Sequence, residues 1–468
     1  MTTLIDQLTH RLGPAGIRTE AADLANYGVD RCRGPWPVNP LVVVLPASVQ
    51  EVRDVVRMCS AHRAAIVPSG GRTGLCGGAT ATAGEVVLSL DRMRAVTWVD
   101  PTAGLLGCEA GATVEAVQEA AAAAGLLYPV DYASKGTAQI GGAIATNAGG
   151  VKVLRYGSTR AWVSGLSVVV ADGTCLELGG SLVKDNTGYD LKQLFIGSEG
   201  TLGVIVGATL RLTRPPAGAT VALCAVADDA QILALFARAQ RGLTLQAFEY
   251  FEHACLEHVL EHRARVGGPF AEASHAYVLI EAELSDGAEQ AALDQRVTEL
   301  LAEAAAAGEI EDAVIARSTA QQRELWSLRE DISESLHRHR PHKSDISLPI
   351  GGVPDFLAAW RVLVADALPG ARPLSFGHIG DGNLHLNVLP VPDALGETDW
   401  DAYDAQTYAL VEAQGGSISA EHGIGLLKRA HLHHRWGPAE LASMRAIKRA
   451  LDPDGLFNPG KILPDASS

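Results

Sequence analysis

The chain has 468 residues, of which 47% are hydrophobic and 20% charged, and a formal net charge of −16. This composition supplies packed cores rather than disorder, and the length suggests about three domains; the negative balance argues against a nucleic-acid backbone as partner, so an anionic small substrate would need a locally basic pocket. Seven spread cysteines without a CxxC pair point to reduced thiols, and no stretch reads as a signal peptide or as the ~18 apolar residues of a membrane span, so a cytoplasmic location is expected.

In chain order, residues 39–45 form a short β-branched run closed by Pro46. Ser48 and Glu51 then make a capping box that opens an amphipathic helix to about His62. Residues 65–68 are the next predicted strand, and it feeds Pro68-Ser-Gly-Gly-Arg-Thr-Gly-Leu-Cys-Gly-Gly-Ala79. Glycines at 70, 71, 74, 77 and 78 let successive backbone N–H groups turn inward together, an arrangement that binds a pyrophosphate. No Gly-Lys-Ser/Thr follows and the spacing is not GxGxxG, so neither a Walker loop nor a Rossmann dinucleotide fold is expected. On its own the loop reads equally as a plain turn. A helix predicted at 113–124 is followed by a second glycine cluster, Gly136-Thr-Ala-Gln-Ile-Gly-Gly-Ala-Ile-Ala-Thr-Asn-Ala-Gly-Gly150, whose small residues suit close approach to a flat ligand. A third stretch, 184–203, leads into a strand predicted at 204–212, and Pro215-Pro216 marks a domain boundary.

In the second half, strands at 219–226 and 275–282 alternate with helices at 230–241 and 288–307, which makes a second α/β layer. One long helix is predicted at 320–339, with Leu325, Leu328, Ile332 and Leu336 on its buried stripe; Arg329 and Ser333, four apart, share a neighbouring face. His337-Arg-His-Arg-Pro-His-Lys343 is a basic run in an acidic chain, generically a solvated helix end. Strands at 374–379 and 384–389 flank a tight turn at Asp381-Gly382, which sets His378 opposite His385 with Cβ atoms ~5 Å apart. Asn387 shares His385's face. Two imidazoles converging from a rigid hairpin are half of a metal site, or else two polar residues on a solvated face. Residues 415–425 read as a strand running into a glycine loop, with Glu421 and His422 at its end, where function concentrates. A helix at 440–451 precedes a turn-rich terminus containing Phe457-Asn458-Pro-Gly-Lys461.

Together these stretches resemble flavoproteins of the vanillyl-alcohol-oxidase (p-cresol methylhydroxylase) superfamily. Within it the chain is similar to the FAD-dependent D-2-hydroxyacid dehydrogenases, which include D-lactate and D-2-hydroxyglutarate dehydrogenases, over roughly residues 39–463. The resemblance implies an α+β fold: a p-cresol-methylhydroxylase-type (PCMH-type) FAD-binding domain at 1–216, an α/β substrate (cap) domain at 217–420, and a C-terminal segment, 421–468, that packs back on the FAD domain. It implies FAD around Pro68, Ser69, Gly70, Gly71, Thr73, Gly74, Gly77 and Gly78 in the first loop. Gly136, Thr137, Gly141, Gly142, Thr146, Asn147 and Gly149 would hold it in the second, with Ile205 and Asn458 also close to the flavin. Some relatives attach flavin through a histidine in the first loop; this loop has none, so non-covalent FAD is expected.

GHIGDGNLHLN followed by SAEHGIG resembles the family's metal site. Carried over, His378, His385 and Glu421 are ligands of a divalent ion, zinc or manganese, and His422 is the base near the substrate hydroxyl. Arg329, Ser333, Lys343 and Asn387 match substrate-binding positions of the D-2-hydroxyglutarate group. Ser333 stands where Thr is usual and Ala143 where Asn is usual, and the stretch from Arg329 to Lys343 is one residue short. The expected function is FAD- and metal-dependent oxidation of a D-2-hydroxy acid. Two cations beyond the metal favour a dicarboxylate, 2-hydroxyglutarate or malate. The alternatives are a D-lactate or glycolate dehydrogenase with the same machinery, and a flavin-binding electron-transfer subunit without its own turnover. Glu421-His422 speaks against the last, because a flavin holder needs no base beside a metal. The resemblance implies electron transfer flavoprotein or a quinone as the electron acceptor, and a homodimer is among the expected states.

Overall fold

A computed structural model describes residues 3–32, 34–264, 267–284, 287–391 and 398–463. They divide into two compact units, Met1–Gly150 with Gly157–Pro215 and Glu421–Ser468, and Val151–Tyr156 with Pro216–Ala420. Among the described residues no helix is long and apolar enough to cross a membrane.

The first unit holds two sheets. Strands β1 (Ile17–Arg18), β2 (Val42–Val44), β3 (Ile66–Ser69) and β4 (Val86–Ser89) form one, in the order β1-β2-β4-β3, with β2 and β3 parallel to β4. The helix Val49–His62 joins β2 to β3. Ser48 Oγ caps it by accepting the Glu51 N–H, and Val52, Val55, Val56 and Cys59 form its buried face. Strands β5 (Val96–Asp100), β6 (Leu105–Glu109), β7 (Val163–Val169), β8 (Cys175–Gly179) and β9 (Val204–Arg211) form an antiparallel sheet in the order β5-β6-β9-β7-β8. Ile66, Val86, Ile140, Ile144, Val206 and Phe457 belong to one core. The tail joins at the edge of β3, where Phe457 bridges Ile66 and the Asn458 N–H donates to Ile66 O at 2.7 Å.

The second unit is built on a seven-stranded antiparallel sheet. Its strands are β10 (Ala219–Val226), β11 (Leu245–Glu252), β12 (Ala276–Glu283), β13 (Asp312–Ile315), β14 (His342–Ser347), β15 (Arg372–Gly377) and β16 (Asn383–Leu389), in the order β13-β10-β12-β11-β15-β16-β14. Phe251, Leu256, Val259, Leu325, Leu328 and Phe376 share its core. The stretch Val151–Tyr156 belongs here despite its early place in the sequence. Lys152 Nζ lies 2.7 Å from Glu281 Oε1 and Arg155 Nε 2.9 Å from Glu283 Oε2, which ties the stretch to β12.

Three local expectations are corrected. The predicted helix 320–339 is two helices, Thr319–Glu330 and Ile332–His337. Asp331 lies between them, its carboxylate held by Arg263 Nε at 2.9 Å, in keeping with the poor helix propensity of Asp. The hairpin is longer than a two-residue turn. β15 ends at Gly377, a 3₁₀ turn spans Ile379–Asp381, and Gly382 adopts φ +84°. Phe376, not His378, therefore faces His385, and Leu374 faces Asn387. Close approach causes this: a Cβ on Gly377 would lie 2.3 Å from Asn383 O, and one on Gly380 would lie 2.9 Å from Phe248 Cβ. Residues 415–425 form no strand beyond an isolated Ser347–Ser417 bridge.

Candidate active site

In the first unit the two glycine loops meet. A Cβ on Gly71 would sit 2.0 Å from Thr137 O, so only glycine allows the contact. Arg72, at φ +57°, bonds Gly70 O at 2.9 Å and lies 3.5 Å from Asp91, which also accepts Gln139 Nε2 at 2.7 Å. Asp30 ties down the far end of the first loop, accepting the N–H of Cys32 at 2.9 Å and of Ala79 at 3.5 Å. Burial pushes the Asp30 carboxyl up to about 6, against the lowering by these N–H groups. The N–H of Gly141 donates to Ala110 O at 2.7 Å. No protein atom among the described residues would meet a Cβ on Gly142, so that face is open. Thr146 Oγ1 donates to Gly142 O, and Asn147, at φ +50°, accepts from Arg160 N at 2.9 Å. Gly136, Thr137 and Gly74 are exposed, Thr73 and Gly149 are half-buried, and Ile205 is buried in β9. Asn458 Nδ2 donates to Gly78 O at 2.8 Å and to Glu199 O at 2.7 Å. Ser69 Oγ and Asn458 Oδ1 are buried without hydrogen-bond partners among the described residues. Unsatisfied buried oxygens and an open glycine face in the same unit fit a polar cofactor such as FAD.

Glu421 and His422 also lie in the first unit. The Gly150 N–H donates to Glu421 Oε1 at 2.7 Å. The next turn is fixed by Glu199, whose carboxylate oxygens accept the N–H groups of Ile424 and Gly425, each at 2.8 Å.

In the second unit, register places Asp345, His385, Phe376 and Phe251 side by side across β14, β16, β15 and β11. Lys343, Asn387 and Leu374 form the adjacent row. Despite the shifted hairpin, the rings of His378 and His385 stand edge to face with centroids 5.3 Å apart. Each is oriented by a carboxylate. His378 Nδ1 lies 2.8 Å from both oxygens of Glu249, and His385 Nδ1 lies 3.4 Å from Asp345 Oδ1. Burial lowers the His385 pKa, with Asp345 opposing, so the ring tends toward its neutral, ligating form. Arg329 is 6% exposed. Its guanidinium sits 4.8 Å above the Phe376 ring, and Nη2 lies 2.9 Å from Glu249 Oε2, an ion pair whose angle falls short of a hydrogen bond. Arg329 Nε has no hydrogen-bond partner among the described residues. Lys343 is exposed at the start of β14, and Ser333 is exposed on the helix after Arg329's.

Residues 40–179 match the FAD binding domain family, and residues 215–462 match the family described as FAD linked oxidases, C-terminal domain. The chain is 48% identical over 450 residues to D-2-hydroxyglutarate dehydrogenase of Xanthomonas citri pv. viticola, covering 95% of this chain and 94% of that one. It is 42% identical over 466 residues to the protein of the same name from Stutzerimonas stutzeri, covering 98% of each. It is 38% identical to the mitochondrial D-2-hydroxyglutarate dehydrogenase of Bos taurus, covering 97% of this chain and 82% of that one. The chain belongs to the FAD-linked oxidase family.

Solved structures agree on the fold. The 4-ethylphenol oxidase of Gulosibacter chungangensis superposes with a TM-score of 0.76 at 19% identity, over 99% of this chain and 98% of that one. p-Cresol methylhydroxylase gives 0.78 at 16% identity, over 99% and 97%. This FAD-linked oxidase thus has the PCMH-type α+β fold and is an FAD-dependent dehydrogenase. Three residues that hold the candidate site residues in place escape sequence reasoning: Glu249, Asp345 and Glu199. The signal for Glu249 was a carboxylate between Phe248 and Tyr250 in a strand where Leu245–Phe251 are all buried. Glu199 carried none beyond its place among glycines.

Proposed function

We propose that this FAD-linked oxidase oxidises D-2-hydroxyglutarate, or a similar D-2-hydroxy diacid such as D-malate, to the 2-oxo acid, using non-covalent FAD and a zinc or manganese ion held by His378, His385 and Glu421. Arg329 carries this reading: a buried guanidinium fixed beside the histidine pair, with Nε unsatisfied. An unmet buried donor costs about 1–3 kcal/mol, more when charged, and a substrate carboxylate would satisfy it. The names of the relatives support the same substrate.

When bound, FAD accepts the hydride leaving C2, and the divalent ion lowers the pKa of the substrate hydroxyl. The chain's own part follows from its residues. The loops around Ser69–Gly78 and Gly136–Gly150, with Ser69 Oγ and Asn458, would hold the cofactor. His378 and His385 turn Nδ1 to Glu249 and Asp345, so Nε2 is the atom each offers to a metal, the usual outer arrangement of metal-bound imidazoles. Asp345 Oδ2 also accepts the Ala420 N–H at 3.1 Å, which anchors the residue just before Glu421. His422 takes the hydroxyl proton. Arg329 binds one carboxylate, while Lys343 and Asn387, neighbours across β14 and β16, read the distal one with Ser333.

One observation favours a monoacid instead. Glu249 already faces Arg329, which leaves Lys343 as the main cation for a distal carboxylate; D-lactate or glycolate would then be the substrate. Anaerobic mixing with D- and L-2-hydroxyglutarate, malate, lactate and glycolate decides, read as flavin bleaching. D-2-Hydroxyglutarate should bleach fastest. Equal bleaching by D-lactate overturns the diacid reading, and no bleaching by any 2-hydroxy acid overturns the chemistry.

A further inference from the structure

Glu199 sits in a conformation that its residue type avoids. Its φ is +49°, in the left-handed region where a β-carbon is strained and glycine is the usual occupant. Such strain persists where the surroundings hold it in place. The Glu199 N–H donates to Ala145 O at 2.8 Å, at the end of the second glycine loop's helix, and Glu199 O accepts Asn458 Nδ2 at 2.7 Å. The backbone is thus pinned on both sides by the proposed cofactor cradle, and the side chain is aimed elsewhere. Its two oxygens take two consecutive N–H groups, those of Ile424 and Gly425, at 2.8 Å each. Both are well-formed backbone hydrogen bonds to one side chain, made although burial raises the Glu199 pKa. The turn they grip starts one residue after His422. Gly423, at φ +84°, presses against the same carboxylate, since a Cβ there would lie 2.8 Å from Glu199 Oε1. Gly423 O accepts from Cys76 Sγ at 3.1 Å, and Cys76 O accepts the N–H groups of Leu426 and Leu427. On the other side of His422, Glu421 Oε1 is held by the Gly150 N–H.

We infer that Glu199 is a positioning residue that sets His422 by clamping the Gly423-Ile424-Gly425 turn, with no contact of its own to the substrate. The inference rests on the reading of His422 as the base. A base displaced by ~1 Å loses about 100-fold in rate, whereas the substrate's carboxylate contacts, made by Arg329 and Lys343, are untouched. Rate and affinity should therefore separate.

The test uses full-length FAD-loaded protein and two variants. Glu199→Gln keeps the shape but turns an NH₂ toward one of the two N–H groups. Gly423→Ala leaves Glu199 in place and pushes the turn off its carboxylate. FAD and metal content, the D-2-hydroxyglutarate dissociation constant and the limiting rate of flavin bleaching are measured for each. Parental FAD and metal content, a near-parental dissociation constant and a limiting rate lower by about 10–100-fold are expected in both. A parental limiting rate in both variants overturns the inference. So does a loss of rate that only tracks lost FAD, which would make Glu199 part of the cofactor cradle alone. A parent enzyme that no 2-hydroxy acid bleaches removes the underlying reading instead, a result distinct from either.

Discussion

Glu249 serves two partners, His378 and Arg329, with one carboxylate that is 1% exposed. Burial alone would raise its pKa; the interactions with His378 and Arg329 outweigh burial and hold it below the ordinary value. The same contacts fix the His378 ring and place the Arg329 fork over Phe376. Glu249→Gln keeps the volume and removes the charge. It should weaken divalent-metal affinity by about 10–100-fold, the usual effect of losing a partner that orients a ligating imidazole. It should also destabilise the protein by about 3–5 kcal/mol, because Arg329 is left as an uncompensated buried charge. Calorimetric metal titration of the FAD-loaded variant and its urea midpoint measure the two effects. Parental metal affinity would mean that His378 is held by something other than this carboxylate. The sequence offered His378 and His385 as a pair but could not offer Glu249, because the bond joins residues 129 positions apart in the chain and depends on strand order.

At the scale of elements, the helix Ile140–Ala145 contains two glycines, each costing about 1 kcal/mol against alanine in a helix. Gly141 has a reason within the chain, since a Cβ there would lie 2.9 Å from Ala110 Cβ. Gly142 has none, because its Cβ would meet no atom among the described residues within 4 Å. On the proposed reading, a bound flavin would supply the missing reason. Gly142→Ala should therefore raise the stability of the FAD-free protein by up to about 1 kcal/mol while weakening FAD. Denaturation of the stripped protein and fluorescence titration with FAD read the two quantities. A stabilised variant with parental FAD affinity would place the flavin elsewhere. Elements with a local signal were legible in this way: the Ser48 cap opens Val49–His62, and strand β10 occupies the predicted residues 219–226. The hairpin and the long helix were misread because tertiary contacts decided them. Asp381-Gly382 has the composition of a two-residue turn, but Gly377 and Gly380 allow neighbours so close that the chain takes a 3₁₀ turn instead. At Asp331, capture by Arg263 accompanies the break in a helix whose apolar stripe runs on unbroken in sequence through Leu325, Leu328, Ile332 and Leu336, all buried. The glycine loops read on their own equally as turns; glycine permits the close approach of Gly71 to Thr137 O, but which backbone comes near is decided by the fold.

At the scale of the whole molecule, each unit has its own core. Ile66, Val206 and Phe457 belong to the first, and Phe251, Leu325 and Phe376 to the second. A chain of two compact units has no single unfolding free energy. A ligand adds RT ln(1 + [L]/Kd) to the state that binds it, about 4 kcal/mol at a thousand times Kd. FAD, if held by the proposed cradle of the first unit, should add this to the opening of that unit. Hydrogen exchange resolves the effect by segment, because an amide exchanges when its local structure opens. Stripping the FAD should speed exchange at Gly141, bonded to Ala110 O, and at Asn458, bonded to Ile66 O, both next to the proposed cradle. Amides in the β10–β12 ladder, such as those of residues 221–225 and 277–281, should exchange as before, since their hydrogen bonds lie in the sheet of the second unit. Mass spectrometry of the loaded and stripped proteins makes the comparison. If protection falls equally in both sets, the two cores open together, and the free energy of FAD binding is distributed over the entire chain rather than confined to the unit that carries the glycine loops.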